Sequence, residues 1–463
     1  MTTLDEAVTS GQSGHLAAHA ALKADHVARG RTPAVADYTP SSSVAEHRAI
    51  HAALHADHNA LGNTPVLPIS PGAGGHVGAH SVLHQAYNAR QGVAAATTYT
   101  VTPTGDRHAV TQRYLTALAD RSDKATPWTL QFAPGTYDLP DQWTVTGLQN
   151  VHLTSQDPAN PATLTKGPGW SGEYLVWLYH GSDIRVSHLN FVGDFVDDPG
   201  DHGAHWHDQG VWFASCHDTR VDHCSFSDIG NAAIRHNTGL DDEPGVHSWN
   251  HVVEDNTFVN CWQVTTTQEG DVDHGGSHDW TVRHNTFTRM RGSVKFASRT
   301  PGAHTAKILH NTWTDAADTP IELCSVDDVE IRGNSFTNTG GSLVNAYTND
   351  VRGVRGFTWA HGITFADNTS HGSRDGFRLA MNRYGDGYQP SGSNLVVRNN
   401  TIAGVSSTDT AQATVRVVYG GVAGVVLADN RFSRIENDTP RSFDRACTGI
   451  SIAGNTLDGS PCS

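Results

Sequence analysis

The sequence predicts an all-β chain, a single-stranded right-handed parallel β-helix preceded by short α-helical repeats rich in His and Ala. Three observations carry that expectation. A six-residue pattern returns ten times between residues 186 and 457. Its spacing varies in the way solenoid turns with unequal loops vary. Short apolar stretches alternate with turn residues throughout, while long helical periodicity is mostly absent.

The recurring pattern runs apolar, polar, polar, Asn, small, aromatic: VSHLNF, VDHCSF, VEDNTF, VRHNTF, ILHNTW, IRGNSF, FADNTS, VRNNTI, LADNRF and IAGNTL. Its Asn-equivalent positions are Leu189, Cys224, Asn256, Asn285, Asn311, Asn334, Asn368, Asn400, Asn430 and Asn455. They lie 35, 32, 29, 26, 23, 34, 32, 30 and 25 residues apart. That range is too variable for heptads or propeller blades and suits stacked turns. Val253 and Val282, with Phe258 and Phe287 behind them, should stack inward as a narrow core. The Asn column belongs at a bend, where Asn tolerates left-handed backbone and stacked amides bond along the axis. It reads as scaffold.

A different repeat precedes the solenoid. GHLAAHAALKADHVARG from Gly14, EHRAIHAALHADHNALG from Glu46 and GHVGAHSVLHQAYNARQ from Gly75 align His15, His19, Leu22 and His26 with His47, His51, Leu54 and His58, and with His76, His80, Leu83 and Tyr87. This 4-3-4 spacing marks one face of a helix. Each copy is too short to hold alone in water and must pack on something. Heptad-spaced His and Leu fit short coiled coils between chains, a trimer best; one intrachain three-helix bundle is the alternative. His at i and i+4 could also share an ion, but no Glu or Cys completes a ligand set. The expected layout is a tail over 1–13, helical repeats for association or attachment over 14–92, a linker over 93–103 and the capped solenoid over 104–463.

Bulk properties narrow the function. At 463 residues with 17% charged side chains the chain fits an elongated repeat, and its net charge of −16 argues against nucleic acid while leaving neutral or basic glycans open. No apolar run approaches the ~20 residues of a membrane span. MTTLDEAVTSGQSGHLAAHAALKADH lacks the basic start and apolar core of a secretory signal, so classical export is not indicated. The six cysteines form no CxxC pair; Cys447 and Cys462 bracket the last turn, where a disulfide would stop fraying, although reduced thiols are favoured for an intracellular origin.

From these motifs the sequence resembles the pectate lyase-like superfamily of right-handed β-helices over about residues 104–463. TGDRHAVTQRYLTALADRS, Thr104 to Ser122, resembles the amphipathic helix that caps the open solenoid end, and LQFAPGTYDL, Leu130 to Leu139, the first-strand motif. The His-rich repeats resemble N-terminal segments of minor tail proteins of phages infecting high-GC Gram-positive bacteria. The combination looks like a tail fibre or tailspike. That resemblance implies a homotrimer in the virion tail, made in the host cytoplasm, touching other tail proteins through its N-terminus and the host envelope through its solenoid.

The strand after each Asn corner offers a flat wall for an extended sugar chain. Reading its second residue as outward gives Trp212, Arg235, Thr265, Lys295, Glu322, Asn345, Arg378 and Arg416, with Trp212 and Tyr347 as sugar-stacking platforms. Polar residues on an exposed strand need no such role, since charge there also blunts aggregation. Lyases of the superfamily pair a base with Ca²⁺ held by acidic side chains. By that resemblance Lys295 or Arg235 is the base and Glu322 or Glu269 the acidic partner. No neighbouring pair of outward Asp residues completes a calcium site, so no metal is assigned. Hydrolysis needs two carboxyl groups across the bond; Glu269, beside Asp271 and Asp273, would stand two rungs from Glu322, roughly 10 Å at ~4.8 Å per strand. The segment GDFVDDPGDHGAHWHDQG, with Asp194, Asp197, Asp198, Asp201, His202, His205, His207 and Asp208, is either a metal or acid site or a solvated loop. Two functions result: an adsorption protein that binds host-surface polysaccharide, or a depolymerase, lyase or glycoside hydrolase, on the same wall.

Overall fold

The computed structural model describes residues 21–24, 27, 53, 54, 56, 97–196, 209–237, 248–267, 277–292, 294–297, 305–324, 326, 328–347, 359–380, 391–406, 414–435, 440–443 and 445–462. The chain divides into two compact units, Met1–Thr97 and Thr98–Ser463.

In the first unit the described residues before Thr97 are helical, and the two heptad leucines among them, Leu22 and Leu54, are buried. A leucine at that spacing buries when its stripe packs against another apolar surface. The His columns and the third repeat, with His76, His80, Leu83 and Tyr87, lie outside the described residues.

The second unit is a right-handed parallel β-helix. Most turns contribute three strands, and most strands pair in parallel with the strand three further along the chain, giving three walls of stacked strands. The first wall holds strands such as His217–Asp222 and Ser248–Glu254; the second, beyond the Asn corner, Ser225–Ser227 and Thr257–Val259; the third, Gln209–Ala214 and Ala232–Asn237. The stretch expected to be linker contains a strand, Thr97–Val101, whose Val101 is buried in the core. The helix Arg107–Asp120 packs on the strands Thr136–Leu139, Trp143–Thr146 and Gln149–Ser155. Asp106 caps it, Leu115 and Leu118 are buried, and Gln112 both donates to Thr144 O at 2.6 Å and accepts from Thr144 N at 3.1 Å. An open sheet edge is thereby satisfied.

Stacking of like on like makes the core. Phe191, Phe226, Phe258, Phe287, Trp313 and Phe336 form a column with centroid separations between 4.6 and 5.0 Å. Beside it the Asn ladder is continuous from Asn256 to Asn455: each amide Nδ2 from Asn256 to Asn430 donates to the next Oδ1 at 2.9–3.1 Å, and that Oδ1 also accepts the preceding backbone N–H. One expectation is corrected. The left-handed residue at the corner is the one before the Asn: His223, Asp255, His284, His310, Asp367, Asn399 and Asp429 have φ between +54° and +57°. The Asn turns its amide inward to bond the ladder, and the preceding exposed or half-exposed side chain takes the bend. All six cysteines are free thiols, Cys447 and Cys462 included.

Candidate functional site

The third wall carries the outward column picked out from the sequence, on strands such as Gln209–Ala214, Ala232–Asn237, Val294–Ala297 and Ile321–Cys324.

One outward register runs Thr144, Trp177, Trp212, Arg235, Thr266, Lys295, Glu322, Asn345, Arg378, Arg416 and Ser442. In backbone register Thr265, which the sequence reading put in this column, pairs with Ile234, and Thr266 pairs with Arg235. A one-residue difference in corner length shifts the face on which every following side chain lies.

At the centre of the column Lys295 Nζ lies 3.1 Å from Glu322 Oε1, both side chains about one-quarter exposed. The Tyr347 hydroxyl donates to the same Glu322 Oε1. Burial, then the Glu322 charge, holds the Tyr347 phenol far above its ordinary pKa, so it is a protonated donor at neutral pH. Tyr347 therefore serves the carboxylate and is no bare stacking platform. Further along, Arg378 donates to Asn345 Oδ1 at 2.7 Å.

Toward the N-terminal end the column turns aromatic. Trp177 stacks on Trp212 at 4.8 Å with an 11° interplanar angle, Tyr174 lies 4.5 Å from Trp212, and the Arg235 guanidinium sits 5.5 Å from the Trp212 ring centre. Arg235 also donates to Tyr174 OH at 3.3 Å. Trp212 is consequently buried at 6% exposure, and the expectation that it offers a sugar platform is corrected: the accessible rings are its half-buried neighbours Trp177 and Tyr179. Sequence reasoning missed this pair because its strand, Tyr174–Tyr179, precedes the first clear Asn corner. The run YLVWLY was the available signal.

Other candidates fall elsewhere. Glu269, Asp271 and Asp273, and the residues from Asp197 to Asp208, lie outside the described residues; Asp194, at the start of that second segment, pairs with Lys166 at 2.6 Å. Among the described residues no three His, Cys, Asp or Glu side chains converge to hold a metal ion.

Two polar clusters away from this wall were not foreseen. On the first wall Arg185 grips Asp222 through two bonds of 2.8 Å, while Arg220 and Arg283 pair with Glu254. Burial alone would raise the Asp222 carboxyl; Arg185, His223 and Arg220 outweigh it and hold it far below the carboxylate range. Inside the solenoid Ser248 donates to Cys216 O at 2.8 Å, which directs every proton behind it. His251 Nε2 then donates to Ser248 at 2.9 Å, Thr219 to His251 Nδ1 at 2.8 Å, and His236 Nε2 to Thr219 at 2.9 Å. The chain ends on His236 Nδ1, buried without a hydrogen-bond partner among the described residues. Both imidazoles are fully buried and neutral, their pKa values pushed well down by desolvation.

Residues 174–355 match the family model of the right-handed β-helix region. No curated protein matches the chain. Among solved structures, PfbA, a surface adhesin of Streptococcus pneumoniae, aligns at 14% identity over 78% of this chain and 90% of its own, with a TM-score of 0.57. The catalytic unit of an α-1,3-glucanase from Streptomyces thermodiastaticus aligns at 14% identity over 79% of this chain and 70% of its own, with a TM-score of 0.46. The tailspike of Acinetobacter baumannii phage AM24 aligns at 12% identity over 78% of this chain and 55% of its own, with a TM-score of 0.46. The likeness to the adhesin is one of fold.

Proposed function

We propose that this right-handed β-helix is the adsorption protein of a phage tail fibre or tailspike, binding host cell-surface polysaccharide along its third wall. The observation that carries the reading is the single outward column, in which half-buried aromatic rings, guanidinium groups, an amide and a carboxylate follow one another along the axis. Such a column presents hydrogen-bonding groups every ~4.8 Å to an extended chain, with ring faces for sugar stacking at one end. The His-rich repeats support placement in a virion tail, with association as a homotrimer and attachment to other tail proteins through residues 14–92. Among the described residues no helix is long and apolar enough to cross a membrane.

A second reading, cleavage of the glycan, rests on the Lys295, Glu322 and Tyr347 cluster, which joins a cation, a carboxylate and a protonated phenol across three successive rungs. Arg235 and Glu269 remain its further candidate groups. The deciding experiment incubates the protein with wall and capsular polysaccharide from candidate hosts, with a pull-down beside reducing-end and unsaturated-uronate assays. Retention without fragments is the expected result. Fragment release abolished by Lys295→Ala or Glu322→Ala would make the protein a depolymerase, and failure to retain any host polysaccharide would overturn both readings.

A further inference from the structure

The left-handed corner that precedes each ladder Asn carries a second line of side chains. Over five successive rungs it reads His188, His223, Asp255, His284 and His310, with φ between +52° and +56°. Asn and Asp suit this backbone best, and later rungs of the same corner return to Asp367, Asn399 and Asp429. His is tolerated there too, yet of the five left-handed His among the described residues four stand in this one line. The bend alone does not account for their gathering.

From His188 to His310 each corner N–H donates, at 3.0–3.4 Å, to the carbonyl just before the next corner residue, which fixes the five in axial file. His188 stacks on His223 with ring centres 5.0 Å apart and 11° between planes, and His284 on His310 at 5.5 Å and 9°; Asp255 stands between the two pairs. His284 and His310 are exposed and Asp255 half-buried, and none of the three side chains makes a hydrogen bond among the described residues. His223 is held from behind: its Nδ1 lies 2.8 Å from the Asp222 carboxylate, which only accepts, so Nδ1 carries the proton and the neutral ring keeps a basic Nε2. A carboxylate behind an imidazole is the arrangement that orients metal-ligating His. Gly333, next along the corner, leaves room for the last ring, since a Cβ there would meet His310 Nδ1 at 2.5 Å.

From this file of donors we infer a divalent transition-metal site on the corner, with Asp255 and His284, on adjacent rungs, as its ligands and His223 and His310 one rung beyond on either side. Imidazole joined with a carboxylate suits Zn²⁺, Ni²⁺ or Cu²⁺, whereas Ca²⁺ and Mg²⁺ take sets made of oxygen. Among the described residues no three such donors converge on one point, because each stands a rung, ~4.8 Å, from the next. Two ligands of a tetrahedral ion lie roughly 3.4 Å apart at bonds of ~2.1 Å, so an exposed ring closes the gap by turning about its side-chain bonds while the hydrogen-bonded backbone stays in place. The corner joins the first wall to the second. The site is therefore separate from the third-wall column and holds whether or not that column binds glycan.

The test titrates the full-length protein with Zn²⁺ by calorimetry at neutral pH, in the parent, Asp255→Asn, His284→Asn and the double variant. Asn keeps the left-handed bend, as Asn399 does at the same corner, and the His-rich repeats are identical in all four proteins, so any Zn²⁺ they take cancels in the comparison. The parent is expected to retain about one equivalent more than the double variant, with each single change weakening that equivalent about tenfold and Ca²⁺ and Mg²⁺ giving no binding heat. Zn²⁺ should also raise the melting temperature of the parent more than that of the double variant. An unchanged melting temperature before Zn²⁺ is added separates lost binding from lost folding. Equal Zn²⁺ binding by the parent and the double variant would overturn the site, and displacement of the corner's Zn²⁺ by equimolar Ca²⁺ would overturn its transition-metal character.

Discussion

Glu322 and Tyr347, 25 residues apart in sequence, meet across adjacent rungs of the third wall, the phenol donating to a carboxylate oxygen that Lys295 also approaches. The contact makes the titration of Tyr347 a reporter on the site. Glu322→Gln removes the negative charge that adds to burial in raising the phenol, so the Tyr347 pKa moves down. Ultraviolet titration, with Tyr347→Phe as the blank, reads that shift; an unmoved phenol would mean that the two groups do not meet in solution. The partly exposed Lys295 and Glu322 pair itself contributes little, and the substitution changes stability by less than about 1 kcal/mol.

The aromatic end separates scaffold from platform. Trp212→Ala empties a buried position and costs about 3–5 kcal/mol in a denaturant titration. Trp177→Ala removes a half-buried ring and costs less stability, while polysaccharide retention falls about tenfold. Equal loss of retention and stability in both variants would remove the platform from Trp177.

Asn311 tests the ladder. Its Nδ2 donates to Val282 O at 2.9 Å, and its Oδ1 accepts from both Asn285 N and Asn285 Nδ2 at 3.0 Å. Asn311→Ala leaves buried donors unmatched and costs about 2–4 kcal/mol by chemical denaturation. Asn345→Ala, on the outer wall, costs less than about 1 kcal/mol. A cost at Asn311 no larger than at Asn345 would show the amide column to be dispensable.

The internal His236, Thr219, His251 and Ser248 chain makes stability depend on pH. Both imidazoles are held neutral by burial, with folded pKa values below the ~6.5 of an unfolded His. Below ~6.5 the unfolded chain therefore binds more protons than the native one, so this contribution is complete above that pH and is lost as pH falls. His236→Phe keeps the stack on Phe213 and leaves Thr219 donating to His251. The variant should match the parent near neutrality and lose stability less steeply on acidification, measured as denaturation midpoints across pH. Parallel curves would remove His236 as a source of acid sensitivity.

Association is expected to reside in the helical repeats. A chain beginning at Thr97 retains Val101, whose carbonyl accepts the Tyr137 hydroxyl at 2.9 Å, and so keeps the first rung whole. Light scattering should find this chain monomeric and the full chain trimeric. A trimeric truncated chain would move the oligomer contact to the solenoid.

The solenoid itself was legible because its physics repeats. Asn256, Asn285 and Asn311 each occupy one equivalent corner, and Phe258, Phe287 and Trp313 one equivalent core position, so the same constraint is written once per turn and survives unequal loops. Lys295, Glu322, Asn345, Arg378 and Arg416 followed from that frame, since strand alternation places the residue after each inward apolar on the outer face. What the tertiary structure decided are relations that a period cannot carry. Thr266 and not Thr265 pairs with Arg235 because one residue more or less in a corner shifts a strand's register. The left-handed bend fell to His223, Asp255 and their equivalents because each Asn amide is committed to its neighbour above and below. Trp212 proved buried because Tyr174, Trp177 and Arg235 arrive from other turns, and Tyr347 proved a donor because Glu322 lies diagonally across a rung. Periodicity determined which residues share a wall; the exact length of each corner and the side chains brought across from other turns determined what each residue does there.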